Sequence, residues 1–275
     1  MWTFINGNWI DAANATVHVS DLAVQRGYGV FDFFRTVEEM PLFVDDHLAR
    51  LQHSAATLRL TLPYSAEELK QIIHELINRN QLTTSGIRIT VTGGNAADTY
   101  TPTTPNIIIT QNPLTMDETF DERKGMALIT EEYVRELPTV KSINYLMGVY
   151  LQQKVKDAGA DDVLYVKDNY ISELPRSNVF VVTQQNELIT AHSNVLHGIT
   201  RKYILQLAAG FMNVKEQAVT LSDVLAAKEV FVTSTTKRLL QVFAVNGILI
   251  GEANKRHVAT NLFHQFLQLE KRLLP

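Results

Sequence analysis

Read for its apolar and polar positions, the chain opens on alternation, passes to helical spacing and returns to alternation. Phe4-Ile5-Asn6-Gly7-Asn8-Trp9-Ile10 predicts a β-hairpin, because Asn-Gly readily adopts the positive φ angles of a type I′ turn. Over residues 45–60, Leu48, Leu51, Ala55 and Leu58 recur at helical spacing, and Asp45 or Asp46 stands where a cap is needed. Ser65-Ala66-Glu67-Glu68 has the form of a capping box opening a second helix, with Leu69, Ile72, Ile73, Leu76 and Ile77 on one face. Residues 86–92 and 106–110 are rich in β-branched side chains and predict strands.

The stretch 113–125 is polar, acidic and aperiodic, and predicts a linker between an N-terminal α/β domain (1–112) and a C-terminal domain (126–275). The second half reads as strand 126–130, helix 142–157, strands 163–166 and 170–172 joined by Asp168-Asn169, and a further pair at 179–183 and 188–190. A helix is expected from about Thr200, and Ser222 is placed to cap another. Strands follow at 230–233 and 240–245, Asn246-Gly247 turns into Ile248-Leu249-Ile250, and an amphipathic helix closes the chain from about 254 to 269. The expected class is α/β (α+β), with two domains and the larger one strand-rich.

Composition narrows the function. Of 275 residues, 45 % are hydrophobic and 20 % charged, the balance of a globular protein, and the net charge of −4 gives no reason to expect nucleic acid or an anionic membrane as partner. With no cysteine, thiolate catalysis, disulfides and Cys-ligated metal are excluded. His47, His53, His74, His192, His197, His257 and His264 do not fall at ligand spacing with acids, so no metal site is expected. No apolar run approaches membrane-spanning length, and Met1-Trp2-Thr3-Phe4 has no basic leader, so a cytoplasmic protein is expected.

Two stretches carry the candidate chemistry. Thr139-Val140-Lys141-Ser142-Ile143-Asn144-Tyr145 places a lysine at the head of a helix-like segment, with few charges nearby. Ile171-Ser172-Glu173 places a carboxylate where a strand gives way to a loop. An amine that can form an imine and a carboxylate that can keep a pyridine nitrogen protonated are the pair a pyridoxal phosphate enzyme requires. Each alone is ordinarily a solvated surface charge. Gly198-Ile199-Thr200-Arg201 opens a helix whose first N–H groups suit a phosphate, and Ser234-Thr235-Thr236 offers hydroxyls at a strand end. Arg50, in His47-Leu48-Ala49-Arg50-Leu51, is a cation able to balance a phosphate dianion.

In this order, His47-x-x-Arg50-Leu51, Lys141-Ser142-Ile143-Asn144, Ile171-Ser172-Glu173 with Ser177-Asn178-Val179-Phe180, Gly198-Ile199-Thr200-Arg201 and Phe231-Val232-Thr233-Ser234-Thr235-Thr236 resemble the motifs of the class IV (fold type IV) pyridoxal-phosphate enzymes. That family includes branched-chain aminotransferases, D-amino acid aminotransferases and 4-amino-4-deoxychorismate lyases. The resemblance spans essentially the whole chain. It implies pyridoxal 5′-phosphate between two α/β domains, and a homodimer whose active site borrows residues from its neighbour. Carried over by position, Lys141 would be the Schiff-base lysine and proton shuttle, and Glu173 would pair with the pyridine nitrogen. Arg50, Thr200 and Thr235, with Ser234 beside them, would bind phosphate by side chain, and Ile199 by its backbone N–H. Tyr145 or Asn144 would lie near the ring, and Thr236 in the substrate-facing loop. Two loops depart from the pattern: Leu174-Pro175-Arg176 stands where many members have Gly-Ser, and Lys237-Arg238-Leu239-Leu240 where many transaminases continue with Glu and Thr-Pro.

The reaction is read from smaller signs. Phe31-Asp32 resembles the aminotransferase pattern of an aromatic followed by an acid; in the lyases a threonine tends to occupy the Asp32 position. Phe31, Phe33 and Phe34 would equally serve a core, with Phe31 and Phe33 on one strand face. The D-amino acid aminotransferases resemble one another in a Val-Thr-Arg-Gly segment whose arginine takes the substrate carboxylate; here Val91-Thr92-Gly93-Gly94 stands. Arg88 resembles an arginine of some bacterial branched-chain enzymes, so Arg88 or Arg35 is expected to meet a carboxylate. The expected function is transamination between an amino acid and a 2-oxo acid, branched-chain-like more than D-amino-acid-like. The alternatives are a lyase releasing pyruvate and 4-aminobenzoate, and a cofactor-binding protein without turnover.

Overall fold

Asn6 and Gly7 take φ of 49° and 87°, closing the hairpin that the Asn-Gly pair predicts. In the computed structural model, which describes residues 1–116, 119, 125–251 and 257–274, the chain falls into two units. The first comprises Met1–Thr115, Val140–Asn144 and Leu273–Pro275; the second comprises Met116–Thr139 and Tyr145–Arg272. Much of the stretch 113–125 read as a linker lies outside the described residues, as does the expected start of the last helix at 254.

The first unit runs β1 (Trp2–Ile5), β2 (Asn8–Asp11), α1 (Leu22–Arg26), β3 (Gly29–Val37), β4 (Met40–Pro41), α2 (Val44–Thr57), α3 (Ala66–Asn80), β5 (Thr84–Thr92) and β6 (Ile107–Pro113). Its strands form one antiparallel sheet in the order β2-β1-β6-β5-β3-β4. Leu48 and Leu51 of α2 and Leu69, Ile73 and Leu76 of α3 are buried with Val30, Phe34, Ile87, Ile89 and Val91. Each such burial stabilises by roughly 1.5–3 kcal/mol. Because strand residues alternate, Phe31, Phe33 and Arg35 face away from this core, and Arg88 stands opposite Phe33 on their side. The capping box forms as expected: Ser65 Oγ accepts from the Glu68 N–H, and the Glu68 carboxylate accepts from the Ser65 N–H.

Helix α2, expected over 45–60, differs from expectation at both ends. Phe43, with φ of 55° and no capping side chain, precedes it, and Asp45 and Asp46 occupy the first turn, where the helix dipole favours acids. It stops at Thr57 because Arg59 turns to φ 56°, which returns Leu58 and Leu60 to the core.

The second unit runs β7 (Met126–Glu132), α4 (Leu146–Tyr150), α5 (Gln152–Asp157), β8 (Asp162–Lys167), β9 (Tyr170–Ile171), β10 (Glu173–Leu174), β11 (Ser177–Val182), β12 (Leu188–Ala191), α6 (Ile199–Ala208), β13 (Val214–Gln217), α7 (Leu221–Leu225), β14 (Glu229–Ser234), β15 (Arg238–Val245), β16 (Ile248–Leu249) and α8 (His257–Lys271). Its sheet follows β13-β12-β11-β14-β15-β7-β8-β9, with β10 on β11 and β16 on β15. Parallel pairs (β12–β13, β15–β7, β7–β8) join antiparallel ones. One register row carries Glu173, Asn178, Thr233 and Leu239 across β10, β11, β14 and β15. The cap of α7 is Thr220, in a capping box with Asp223, and Ser222 falls inside the helix.

The helix expected over 142–157 is replaced by an extended segment followed by two short helices. Phe31 N–H donates to Lys141 O (2.9 Å), Ile143 N–H donates to Gly29 O (3.0 Å), and Ser142 bridges Val30. These strand-type bonds claim the backbone groups a helix would use, so helix begins only at Leu146. The approach is close enough that Gly29 is required: a Cβ there would lie 2.8 Å from Val91 O and 3.1 Å from Ile143 Cδ1. We expect Gly29→Ala to destabilise the protein by about 1–3 kcal/mol through overpacking. Urea unfolding measures this; an unchanged midpoint would show that the segment yields without cost.

Candidate active site

Lys141 is held by its backbone. Its N–H donates to Ser54 Oγ on α2 (3.1 Å) and its carbonyl accepts from Phe31. The amine lies 4.6 Å from the centroid of the Phe31 ring, and the Arg88 guanidinium carbon lies 3.7 Å from the same centroid. An amine and a planar cation therefore share one aromatic plate, with Arg88 Nε also donating to Thr90 Oγ1 (3.3 Å). Arg35, the other candidate for a carboxylate, is on the same sheet face but 3 % exposed. The structure thus brings Lys141, Phe31 and Arg88 together and buries Arg35.

Arg50 is clamped. Its Nε donates to Asp32 Oδ2 (2.9 Å) and Nη2 to Asp32 Oδ1 (2.8 Å), a two-point grip. His47 Nδ1 is 2.7 Å from Asp32 Oδ1. Asp32 has no exposed surface. Burial alone would raise its pKa, but the charge of Arg50 and the hydrogen bonds from Arg50 and His47 override that and hold the carboxyl far below the usual range. His47 is pushed away from the behaviour of an exposed imidazole: burial, aided by the charges of Arg50 and Lys141, outweighs Asp32 and lowers its pKa. It is a neutral ring at neutral pH.

In the second unit, Glu173 opens β10 rather than ending a strand, and is 4 % exposed. Arg135 Nε donates to its Oε1 (2.7 Å), while Leu196 N–H (2.9 Å) and the Asn178 amide (3.4 Å) address Oε2. Asn178 also donates to Leu196 O (2.8 Å). A Cβ on Gly198 would fall 2.3 Å from Asn178 Oδ1, so only glycine fits as the N-cap of α6. The first helical bond there runs from Lys202 N–H to Gly198 O, so the N–H groups of Ile199, Thr200 and Arg201 precede the ladder, with no capping side chain. Ser234 ends β14, Thr235 begins the turn that leads to Arg238, and Thr236 is exposed in it. Tyr145 precedes α4 and lines a cavity of about 690 Å³ with Pro175, Arg176 and Lys156.

These donors fit pyridoxal phosphate. A buried carboxylate suits a pyridinium N–H, and an uncapped helix N-terminus with neighbouring hydroxyls suits a phosphate. Thr233 Oγ1, beside Ser234, is buried without a hydrogen-bond partner, an acceptor and donor left for a ligand. Three residues at these sites escape the sequence reading. Asp32 stands there only as a subtype marker, Asn178 only as part of a motif, and Arg135 not at all. The pair Asp32 and His47-x-x-Arg50 is within reach of charge bookkeeping; Arg135 is not, because its partner is 38 positions away. No cluster of potential metal ligands occurs among the described residues.

A family model described as amino-transferase class IV matches residues 29–245. A D-alanine aminotransferase of Bacillus licheniformis is 33 % identical over 258 residues, 91 % of this chain and 90 % of the relative. A crystal structure of the Escherichia coli branched-chain amino acid aminotransferase superposes with a TM-score of 0.90 at 26 % identity, over 98 % of this chain and 94 % of the other. A branched-chain amino acid aminotransferase from T.th., solved with pyridoxamine 5′-phosphate, gives 0.91 at 25 % identity, over 100 % and 95 %. The likenesses bear out the α/β architecture of fold type IV.

The His47 environment sets a pH dependence. Its pKa is lower folded than the ordinary 6.5, so the unfolded chain binds the proton more readily and stability falls as pH drops below about 6.5. The slope has a ceiling of about 1.4 kcal/mol per pH unit for one proton. His47→Gln is expected to flatten it, as read by denaturant midpoints from about pH 7.5 to 5; an unchanged slope would place the titration elsewhere.

Proposed function

Because the chain belongs to the class IV aminotransferases, we propose that it uses pyridoxal 5′-phosphate to move an amino group between an amino acid and a 2-oxo acid. The observation that carries this reading is the convergence of Lys141 Nζ and the Arg88 guanidinium on the Phe31 ring. Lys141 would bind the cofactor's aldehyde carbon, and Arg88 would take the substrate carboxylate. The bound cofactor supplies an electron sink that acidifies the substrate Cα–H. Once the substrate's own amine has displaced it from that carbon, the freed Lys141 Nζ would be the base that removes this proton and holds it for redelivery. The Phe31 ring lies against one side of the amine. Glu173 would accept from the pyridine N–H. Arg50, the N–H groups of Ile199 and Thr200, and the hydroxyls of Thr200, Ser234 and Thr235 would hold the phosphate. Tyr145 and Thr236 would border the substrate.

The donor is read as a branched-chain-like amino acid. Where the D-amino acid aminotransferases place a carboxylate-binding arginine, this chain has Gly93, and a side chain there would require its neighbours to shift: a Cβ would lie 2.8 Å from Tyr28 Cδ1 and 2.9 Å from Leu22 Cδ1. The likeness to a D-alanine aminotransferase supports the opposite stereochemistry as the second reading. Asp32, occupied with Arg50 and His47, supports transamination over the lyase. A homodimer accords with Leu146, Val149 and Tyr150, all exposed on α4. No helix among the described residues is long and apolar enough to cross a membrane.

Mixing cofactor-loaded protein with L- and D-amino acids in single turnover tests the reading. We expect L-leucine or its homologues to convert the absorbance to that of the pyridoxamine form. Conversion by D-alanine alone would reverse the stereochemical assignment. Pyruvate and 4-aminobenzoate from aminodeoxychorismate would name the lyase, and no reaction at all a protein without turnover. Lys141→Ala is expected to abolish both the yellow absorbance and turnover with circular dichroism unchanged; sustained turnover in that variant would refute the role of Lys141. Arg88→Ala should raise the amino-acid KM about 10- to 100-fold, the loss of a charged hydrogen-bond pair, while cofactor affinity stays constant. An unaltered KM would remove Arg88 from the carboxylate site.

A further inference from the structure

A carboxylate buried like Glu173 meets a strong physical objection. At 4 % exposure, desolvation favours the neutral acid, and a neutral acid cannot keep a pyridine nitrogen protonated. The chain answers with Arg135, which follows β7 and whose own side chain is 18 % exposed. Its Nε donates to Glu173 Oε1 at 2.7 Å, and Nη2 reaches the same oxygen at 2.5 Å. Nη2 also donates to Pro138 O (2.5 Å), which ties the guanidinium to the segment just before Thr139. The other carboxylate oxygen is addressed by the Leu196 N–H and the Asn178 amide. The carboxylate plane is therefore fixed from both sides by groups of the chain itself.

We infer that Arg135 is a positioning residue for the cofactor's ring nitrogen, acting through Glu173: it keeps that carboxylate ionised and aimed in an otherwise excluding environment. This rests on the reading of Glu173 as the partner of the pyridine nitrogen. A carboxylate held by a guanidinium would accept a hydrogen bond from the ring N–H as an ion, with its orientation already set. Arg135 has no contact with the cofactor in this role, and its effect exists only for a ring that carries a nitrogen.

That last property supplies the test. Affinities are measured by fluorescence titration of cofactor-free protein with pyridoxal phosphate and with its 1-deaza analogue, in which C–H replaces the ring nitrogen. Arg135→Met, which keeps length but not charge, is expected to weaken pyridoxal phosphate about tenfold or more while the deaza analogue binds as in wild type. Arg135→Lys, which keeps the charge with a less suitable geometry, should show a smaller loss, again confined to pyridoxal phosphate. Equal losses for both ligands in these variants would mean that Arg135 merely supports the fold, and no loss for either would mean that Glu173 needs no partner; both overturn the inference. Glu173→Gln separates the two levels. If it too discriminates between the ligands while Arg135→Met and Arg135→Lys do not, the reading of Glu173 stands and the inference about Arg135 falls. If Glu173→Gln treats both ligands alike, Glu173 does not address the ring nitrogen and both fall. Should Arg135→Met fail to fold, as judged by circular dichroism, Arg135→Lys carries the comparison.

Discussion

Two backbone hydrogen bonds, Phe31 N–H to Lys141 O and Ile143 N–H to Gly29 O, set where Lys141 sits in the first unit. They lay a short segment from late in the sequence against the start of β3 and so place an amine beside an aromatic ring that the sheet already holds. Side-chain contacts alone would leave a flexible four-carbon stem to find its own position. Here the Cα is fixed by strand-type bonds, by Ser54 Oγ and by Gly29, so the stem starts from a set position. Preorganisation of this kind is inexpensive because backbone groups buried at that point need partners in any case.

The same logic explains why charge is buried so generously nearby. Asp32, His47 and Arg50 lie within one turn of α2 and one residue of β3, and each would be unfavourable there alone. Together they form a neutral, hydrogen-bonded cluster that fixes the guanidinium plane. Removing any one member would strand the others, so the cluster is rigid for an energetic reason. Glu173 and Arg135 repeat the arrangement in the second unit, a buried carboxylate paired with a guanidinium.

What is legible in the sequence is chiefly what is local. The Asn6-Gly7 and Asn246-Gly247 turns and the Ser65 capping box each depend on residues within four positions, and each forms as expected. The motif order is legible too, and the family it points to is the one the chain belongs to. Over 142–157 the apolar pattern suits a helix and misleads, because partners more than a hundred positions earlier claim the first backbone groups. Thr220-x-x-Asp223 is a local signal for a cap, yet the expectation falls on Ser222, two positions too late. Arg135 offers no local signal at all.

The packing around Gly93 has a consequence for how such proteins diverge. Tyr28 and Leu22 fill the space a side chain would need, and both are tied in: Tyr28 Oη donates to Leu58 O (2.5 Å), Tyr28 N–H to Leu22 O (3.1 Å), and Gly93 N–H to Tyr28 O (3.1 Å). Gly94, at φ 79°, adds a backbone that other residues resist. An arginine at 93 would require the tyrosine and leucine side chains to move. A substitution made there without such movement would be overpacked. A lineage that keeps Tyr28 and Leu22 packed in this corner keeps glycine at 93 with them, so the three positions would be expected to change together.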